Sequence, residues 1–352
     1  MLDNVLESLN KEQRNAATAV NGPVMVFAGA GTGKTKTLIA RIINMVQNEH
    51  INPRNILAIT FTKKATAEMR ERLALYMGEQ NSSLVHISTI HSLCNRILRR
   101  NIQLLGYNRD FEILDDEEML KVLTEIYKEE KIDRKLYTPK SMVKMIGDYK
   151  NGIRPLKESE EKIYEYYQKY LKENNMVDFD DLLILTNQVL EYEEVLEYYQ
   201  DWYKYILVDE FQDTNVIQYE IVKKLASKNR NIFVVGDDDQ SIYSFRGACV
   251  DNMLNFSKKD YPDAQVFKLV ENYRSNDMIL KGSNSLIKNN TMREPKELIT
   301  SKKGDIHSVI VHDAYYYEDE VRFVVNEISH LLKHDNYSYK DIAILYRNNA
   351  LS

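Results

Sequence analysis

The sequence predicts an α/β protein: a parallel sheet interrupted by an all-helical insertion and followed by part of a second α/β unit. Three observations carry this. The apolar run Val24-Met-Val-Phe27 leads into the glycine-rich turn Ala28-Gly-Ala-Gly-Thr-Gly-Lys-Thr35 and then into a helical pattern, the strand, turn and helix order of a phosphate-binding loop. Residues 95–200 hold no strand candidate of similar quality and take helical spacing instead. A later apolar run, Ile206-Leu-Val208, delivers the adjacent acids Asp209 and Glu210.

In chain order, strands are expected at 24–28, 56–61 and 84–88, where β-branched residues cluster in short apolar runs, with helices between them. The first of these helices is marked by Leu38, Ile39, Ile42, Ile43 and Val46. Alternation of strand and helix implies a parallel sheet. Met119, Val122, Leu123, Ile126 and Tyr127, then Ile163, Tyr166, Tyr167, Tyr170 and Leu171, repeat steps of three and one that mark buried helix faces. Strands return at 205–209, 232–236 and 266–269, so the first sheet is completed only after the insertion. A third region begins near 277, where expected strands at 306–311 and 342–346 flank a helix containing Val321, Val324, Val325 and Ile328. The predicted division is residues 1–92 with 178–276, an insertion at 93–177, and a partial unit at 277–352.

Residue chemistry assigns roles at two elements. Glycines let backbone N–H groups approach phosphate oxygens, and the following helix directs its positive end at them. Lys34 then reaches the β- and γ-phosphates of a nucleotide, Thr35 and Asp209 ligate Mg²⁺, and Glu210 orients or deprotonates a water. The strict pattern has glycine where this chain has Ala28.

Of the 352 residues, 43% are hydrophobic and 28% charged, with only 12 Gly and 6 Pro, which excludes low-complexity disorder. Cys94 and Cys249 are far apart and in no metal-binding spacing, as suits a reducing compartment. The amino terminus has neither a basic nor an apolar leader segment, and no apolar run approaches a membrane span, so a cytoplasmic location is expected. A net charge of -6 argues against bulk electrostatic coating by nucleic acid and leaves room for a local groove.

Further blocks complete the pattern: Leu9-Asn-Lys-Glu-Gln-Arg-Asn-Ala16, Ile59-Thr-Phe-Thr-Lys-Lys-Ala-Thr-Ala-Glu-Met-Arg70, Thr89-Ile-His91, Val177-Asp-Phe-Asp-Asp-Leu-Leu183, Val235-Gly-Asp-Asp-Asp-Gln-Ser-Ile-Tyr-Ser-Phe-Arg-Gly-Ala248 and Glu271-Asn-Tyr-Arg-Ser275. In this order, over residues 9 to 350, they resemble the UvrD/Rep/PcrA family of superfamily 1 DNA helicases. The resemblance implies a RecA-like P-loop NTPase sheet with a helical inserted domain and a partial second RecA-like domain. It implies ATP and Mg²⁺ as cofactors, the nucleotide lying on Ala28, Gly29, Ala30, Gly31, Thr32, Gly33, Lys34, Thr35 and Lys36. By the same resemblance Gln13 reads the adenine, Tyr273 stacks on it, Gln240 senses the γ-phosphate, and Arg274 reaches that phosphate from across the cleft. Phe61, His91, Phe245 and Arg246 match positions that touch single-stranded DNA, and Tyr346, Arg347 and Asn349 resemble a later DNA-contacting block. Position 245 is usually tryptophan in such proteins, and Leu351 stands where glutamine is frequent.

The implied activity is 3′-to-5′ translocation on single-stranded DNA, with strand separation at junctions, by a monomer working with repair or replication proteins. Two alternatives are a helicase subunit of a recombinational helicase–nuclease, disfavoured by the acids of Gly236-Asp-Asp-Asp-Gln240, and a non-catalytic, nucleotide-gated DNA-binding module. The family's last two motifs are absent, so the sequence is expected to be truncated and, alone, inactive or weakly active.

Overall fold

The computed structural model describes residues 3–305, 308–334 and 337–346. Six strands form a parallel sheet: β1 (Val24–Ala28), β2 (Ile56–Thr60), β3 (His86–Thr89), β6 (Tyr205–Val208), β7 (Ile232–Gly236) and β8 (Gln265–Leu269), in spatial order β3-β2-β6-β7-β1-β8. Every residue of β1, β2 and β7 is buried. That explains why these strands read as unbroken apolar runs, since a parallel sheet is covered on both faces. One face carries Met25, Phe27, Leu57, Ile59, Val208 and Val234 against the helices Ile90–Asn101, Asp181–Val189 and Val216–Ala226. The other carries Val24, Val26, Ala58, Leu207 and Val235 against Lys11–Thr18, Lys34–Gln47 and Lys63–Ser82.

The strand order makes the discontinuity physical. β6 and β7 lie between β2 and β1, so residues from beyond the insertion fill the middle of the sheet. Their placement brings the carboxyl ends of β1 and β6, with the loops that follow, to one edge, the usual ligand crevice of an open α/β sheet. The backbone N–H of Asp209 donates to Ile59 O at 2.9 Å and fixes the acid pair to that edge.

The insertion differs from expectation in two ways. Besides the helices Asp116–Glu129, Pro139–Lys150 and Glu158–Glu173 it has a short parallel pair, β4 (Glu112–Leu114) with β5 (Met176–Asp178), so it is not all-helical. Three-residue strands are too short to show periodicity. Its own core starts at Leu114, whereas Leu93, Cys94, Ile97, Leu98, Ile102 and Phe111 pack into the sheet core. The packing break therefore falls about twenty residues after position 93, because helix Ile90–Asn101 covers the main sheet.

In the third region, residues 308–311 and 342–346 form no strand, against the sequence expectation. A strand needs a hydrogen-bonded neighbour, and none of the described residues pairs with them; Val311 and Leu345 are 90% and 94% exposed. The helix Tyr317–His334 has no buried residue. Of this region, Arg293, Lys296 and Leu298 reach the loops that follow β1 and β7.

Candidate nucleotide site and nucleic-acid cleft

The phosphate loop runs from the end of β1 to the helix Lys34–Gln47. Gly31 and Gly33 have φ of 69° and 85°, the left-handed region that glycine tolerates best. A Cβ on Gly29 would meet Leu298 at 2.3 Å, and one on Gly33 would meet the Gln13 amide at 2.7 Å. Ala28 needs no glycine: it is still a strand residue, fully buried and in register with Leu269. Thr32 closes the turn, its hydroxyl donating to Gly29 O at 2.7 Å. The segment after β8 folds over the loop. There the Asn272 amide donates to Ala30 O at 2.6 Å and the Tyr273 N–H to Gly31 O at 3.0 Å.

The two predicted chemical elements meet. Lys34 Nζ lies 2.5 Å from Glu210 Oε2, and Glu210 sits in the left-handed region at φ 49°, unusual for a side chain of its size. Burial, and then the neighbouring Glu210 charge, push the Asp209 carboxyl up to about 6, and Asp213 likewise. Asp213 Oδ1 is buried without a partner among the described residues. Thr35 is half-buried, its hydroxyl has no hydrogen bond among the described residues, and hydroxyl and carboxylate oxygens are the ligand types that a hard divalent cation takes. Lys36, by contrast, turns away from the loop and donates to Ser8 O at 2.7 Å.

On the expected adenine side, Gln13 is 1% exposed. Its amide donates to Thr32 O at 2.8 Å and accepts from the Asn10 N–H at 3.0 Å, so it braces the loop through a capping box. Tyr273 is 45% exposed, with its hydroxyl donating to Glu271 and accepting from Asn10, each at 2.8 Å. This leaves the ring face free for stacking. The Arg274 side chain is exposed and has no ion-pair partner among the described residues. Among the described residues, Gln240 makes no hydrogen bond to Lys34 or Glu210. It donates to Asp237, whose backbone N–H in turn donates to the Gln212 side chain at 3.0 Å; Gln212 donates to Glu210 at 3.0 Å. Gln212 is thus the link the sequence reading passed over, although its place two residues after Glu210 was a usable signal.

A cleft of about 1000 Å³ separates the carboxyl edge of the sheet from the insertion, and Asp209 and Glu210 line it together with Phe61, His91, Phe245 and Arg246. Four of the expected DNA-contacting residues therefore share one cavity. Phe61 packs on Tyr243 at 5.1 Å between ring centroids and Tyr243 on Phe245 at 5.9 Å, while the Arg246 guanidinium lies 5.6 Å from the Phe245 ring. Across the cleft, Phe179 stacks on His91 at 4.1 Å and is 55% exposed. Motif order alone gives Phe179 no role; an aromatic flanked by acids in Asp178-Phe-Asp-Asp181 is the available sign in the sequence. Burial lowers the His91 pKa to about 4, so its ring offers a neutral stacking face at neutral pH. Lys63, Lys140 and Lys144 line the cleft beside Asp116, Glu117, Asp148 and Asp180, so charge there is mixed. Tyr346 is exposed and does not line this cleft, and Arg347 and Asn349 lie outside the described residues.

A parallel sheet with a glycine-rich loop after one strand, and an acid pair after another meeting its lysine, defines a nucleotide-binding α/β protein of the P-loop class. Residues 9–262 match the UvrD/REP helicase N-terminal domain and residues 267–352 the UvrD-like helicase C-terminal domain, and the chain belongs to this family of RecA-like proteins. It is 41% identical over 362 residues to the ATP-dependent DNA helicase PcrA of Staphylococcus aureus strain Mu50, covering 99% of this chain and 49% of that protein. The ATP-dependent DNA helicase PcrA of Staphylococcus epidermidis is 40% identical over the same share of each. The chain spans about half the length of the curated relatives it matches. Among the described residues, no helix is long and apolar enough to cross a membrane.

Proposed function

We propose that this chain carries the nucleotide-binding and much of the single-stranded-DNA-binding machinery of an ATP-dependent 3′-to-5′ DNA helicase. The observation that carries the reading is that Glu210 touches the lysine of the phosphate loop and also borders the cleft. On one side Glu210 meets Lys34 at 2.5 Å; on the other both acids line the aromatic cleft.

ATP would lie along residues 28–36, with Tyr273 on the base and Arg274 near the γ-phosphate. Thr35 and Asp209 would hold Mg²⁺, which supplies charge neutralisation at the transferring phosphoryl group. Lys34 exchanges Glu210 for phosphate oxygens as nucleotide arrives. That frees the Glu210 carboxylate to take the proton of a water held near the γ-phosphate. Single-stranded DNA would run through the cleft, with bases on Phe61, Phe245 and Phe179 and a phosphate on Arg246. Because sequence-independent stacking dominates such a surface, binding should show little base preference and weaken with salt.

The test is phosphate release with and without oligo-dT, comparing the parent chain with Glu210→Gln. The reading expects Glu210→Gln to keep Mg·ATP affinity and to remove whatever turnover the parent shows. Nucleotide and DNA binding in the parent with no turnover under any condition would favour a nucleotide-gated binding module instead.

A further inference from the structure

Residues Asp237, Asp238 and Asp239 put three carboxylates side by side just after β7, one oxygen from each lying within 4.8 Å of the others. Left alone they would repel one another strongly at such depth, since Asp238 is 3% exposed. An ammonium sits among them. Lys296 Nζ lies 3.0 Å from Asp237 Oδ1, 2.5 Å from Asp238 Oδ1 and 2.7 Å from Asp239 Oδ2. The ammonium donates to Asp238, and Asp237 and Asp239 flank it as ion pairs. Only 2% of the Lys296 side chain is exposed.

The remaining oxygens bind the same segment or lead inward. Arg293 grips Asp239 with two hydrogen bonds of 2.8 Å, and the Glu294 N–H donates to Asp238 at 2.5 Å. Residues 293–296 are thereby docked on the turn after β7. Asp237 faces the other way, accepting from Gln240 and passing through its own N–H to Gln212, which donates to Glu210. Gly236 makes this joint tight, because a Cβ there would stand 2.6 Å from Gln212 Oε1 and 3.2 Å from the Gln212 backbone nitrogen.

The geometry points to Lys296 as a positioning residue: from the segment after β8 it sets the Asp237–Gln240–Gln212 hydrogen bonds, and so couples movement of that segment to Glu210. The coupling rests on the nucleotide reading above; the positioning does not. Two states of the contact, docked and released, would change which donors face Glu210, and such a two-state element is what allosteric coupling requires.

The experiment uses the full chain and two variants, K296M and the double variant K296M/D238N, which keeps the local net charge if the single change unfolds the protein. Amide hydrogen exchange is followed at residues 236–241, and a fluorescent oligo-dT is titrated with and without the Mg²⁺ complex of a non-hydrolysable ATP analogue. Both variants should speed exchange at Asp237 and Gln240 while β1 stays protected. They should retain each separate affinity but bring the analogue-induced change in oligo-dT affinity, expected at about 5- to 150-fold in the parent, close to one. Unaltered exchange at both amides, or undiminished coupling in a folded variant, overturns the inference. A parent chain that binds no nucleotide defeats the nucleotide reading and the coupling with it, while the exchange arm still decides whether Lys296 positions the turn.

Discussion

Replacing Phe245 by alanine separates a DNA-stacking residue from a packing residue. The ring is 66% exposed and its neighbours are Tyr243 and the Arg246 guanidinium, so little apolar area is lost in the free protein. A surface change of this kind alters stability by about 0.5 kcal/mol at most. A base stacked on an aromatic ring contributes about 1–3 kcal/mol, or about 5- to 150-fold in Kd at 25 °C. The predicted asymmetry is therefore a large loss of affinity with an almost unmoved melting temperature. Fluorescence anisotropy of a labelled oligo-dT at fixed salt measures the first quantity, and thermal unfolding the second. Phe61→Ala provides a contrast: at 37% exposure and 5.1 Å from Tyr243, it should move both. An oligo-dT Kd for Phe245→Ala within twofold of the parent would refute base stacking at this position.

Lys34→Ala should weaken Mg·ATP binding and abolish turnover while leaving the fold intact, as checked by titration with a fluorescent ATP analogue alongside circular dichroism; unchanged affinity would remove Lys34 from the phosphate site. The Asp209 carboxyl, raised from 3.8 to about 6 in the folded chain, binds protons more readily folded than unfolded. Stability without cation should therefore fall as pH rises from about 4 to 6 and level off above that. Mg²⁺-dependent nucleotide affinity should climb over the same window, because the cation displaces that proton; calorimetric titration with and without Mg²⁺ at about pH 5 and about pH 7.5 reads it. In the insertion, Lys150 is wholly buried at 2.5 Å from Asp178 and 2.6 Å from Asp181. Lys150→Met strands both carboxylates and should cost about 3–5 kcal/mol, seen as an early unfolding step in chemical denaturation. Since Asp178 and Asp181 flank Phe179, oligo-dT binding should weaken as well.

The sheet and the nucleotide chemistry were legible in the chain because each rests on local residue types. β1, β2 and β7 are apolar runs buried on both faces, and the loop from Gly29 to Thr35 carries its backbone demands in its glycines. Helical spacing likewise marked Ile163, Tyr166, Tyr167, Tyr170 and Leu171 as core; Ile163, Tyr167 and Leu171 are buried, and Tyr166 and Tyr170 pack against that core half-buried. What adjacency in sequence cannot express was left to the tertiary structure. β6 and β7 enter between β2 and β1, so Lys34 and Glu210 meet although 176 positions separate them. Phe179 reaches His91 only because the insertion folds back over the sheet edge. Lys296, an ordinary lysine by composition, becomes the centre of a buried cluster through a loop docking 58 positions away from Asp238. The described parts of two expected strands, 308–311 and 342–346, show the converse, residues 306–307 lying outside the described residues: β-propensity alone does not make a strand where the described residues offer no neighbouring ladder. Local pattern determines which backbone each segment favours, while partners distant in sequence decide which of those segments pair and which side chains share a site.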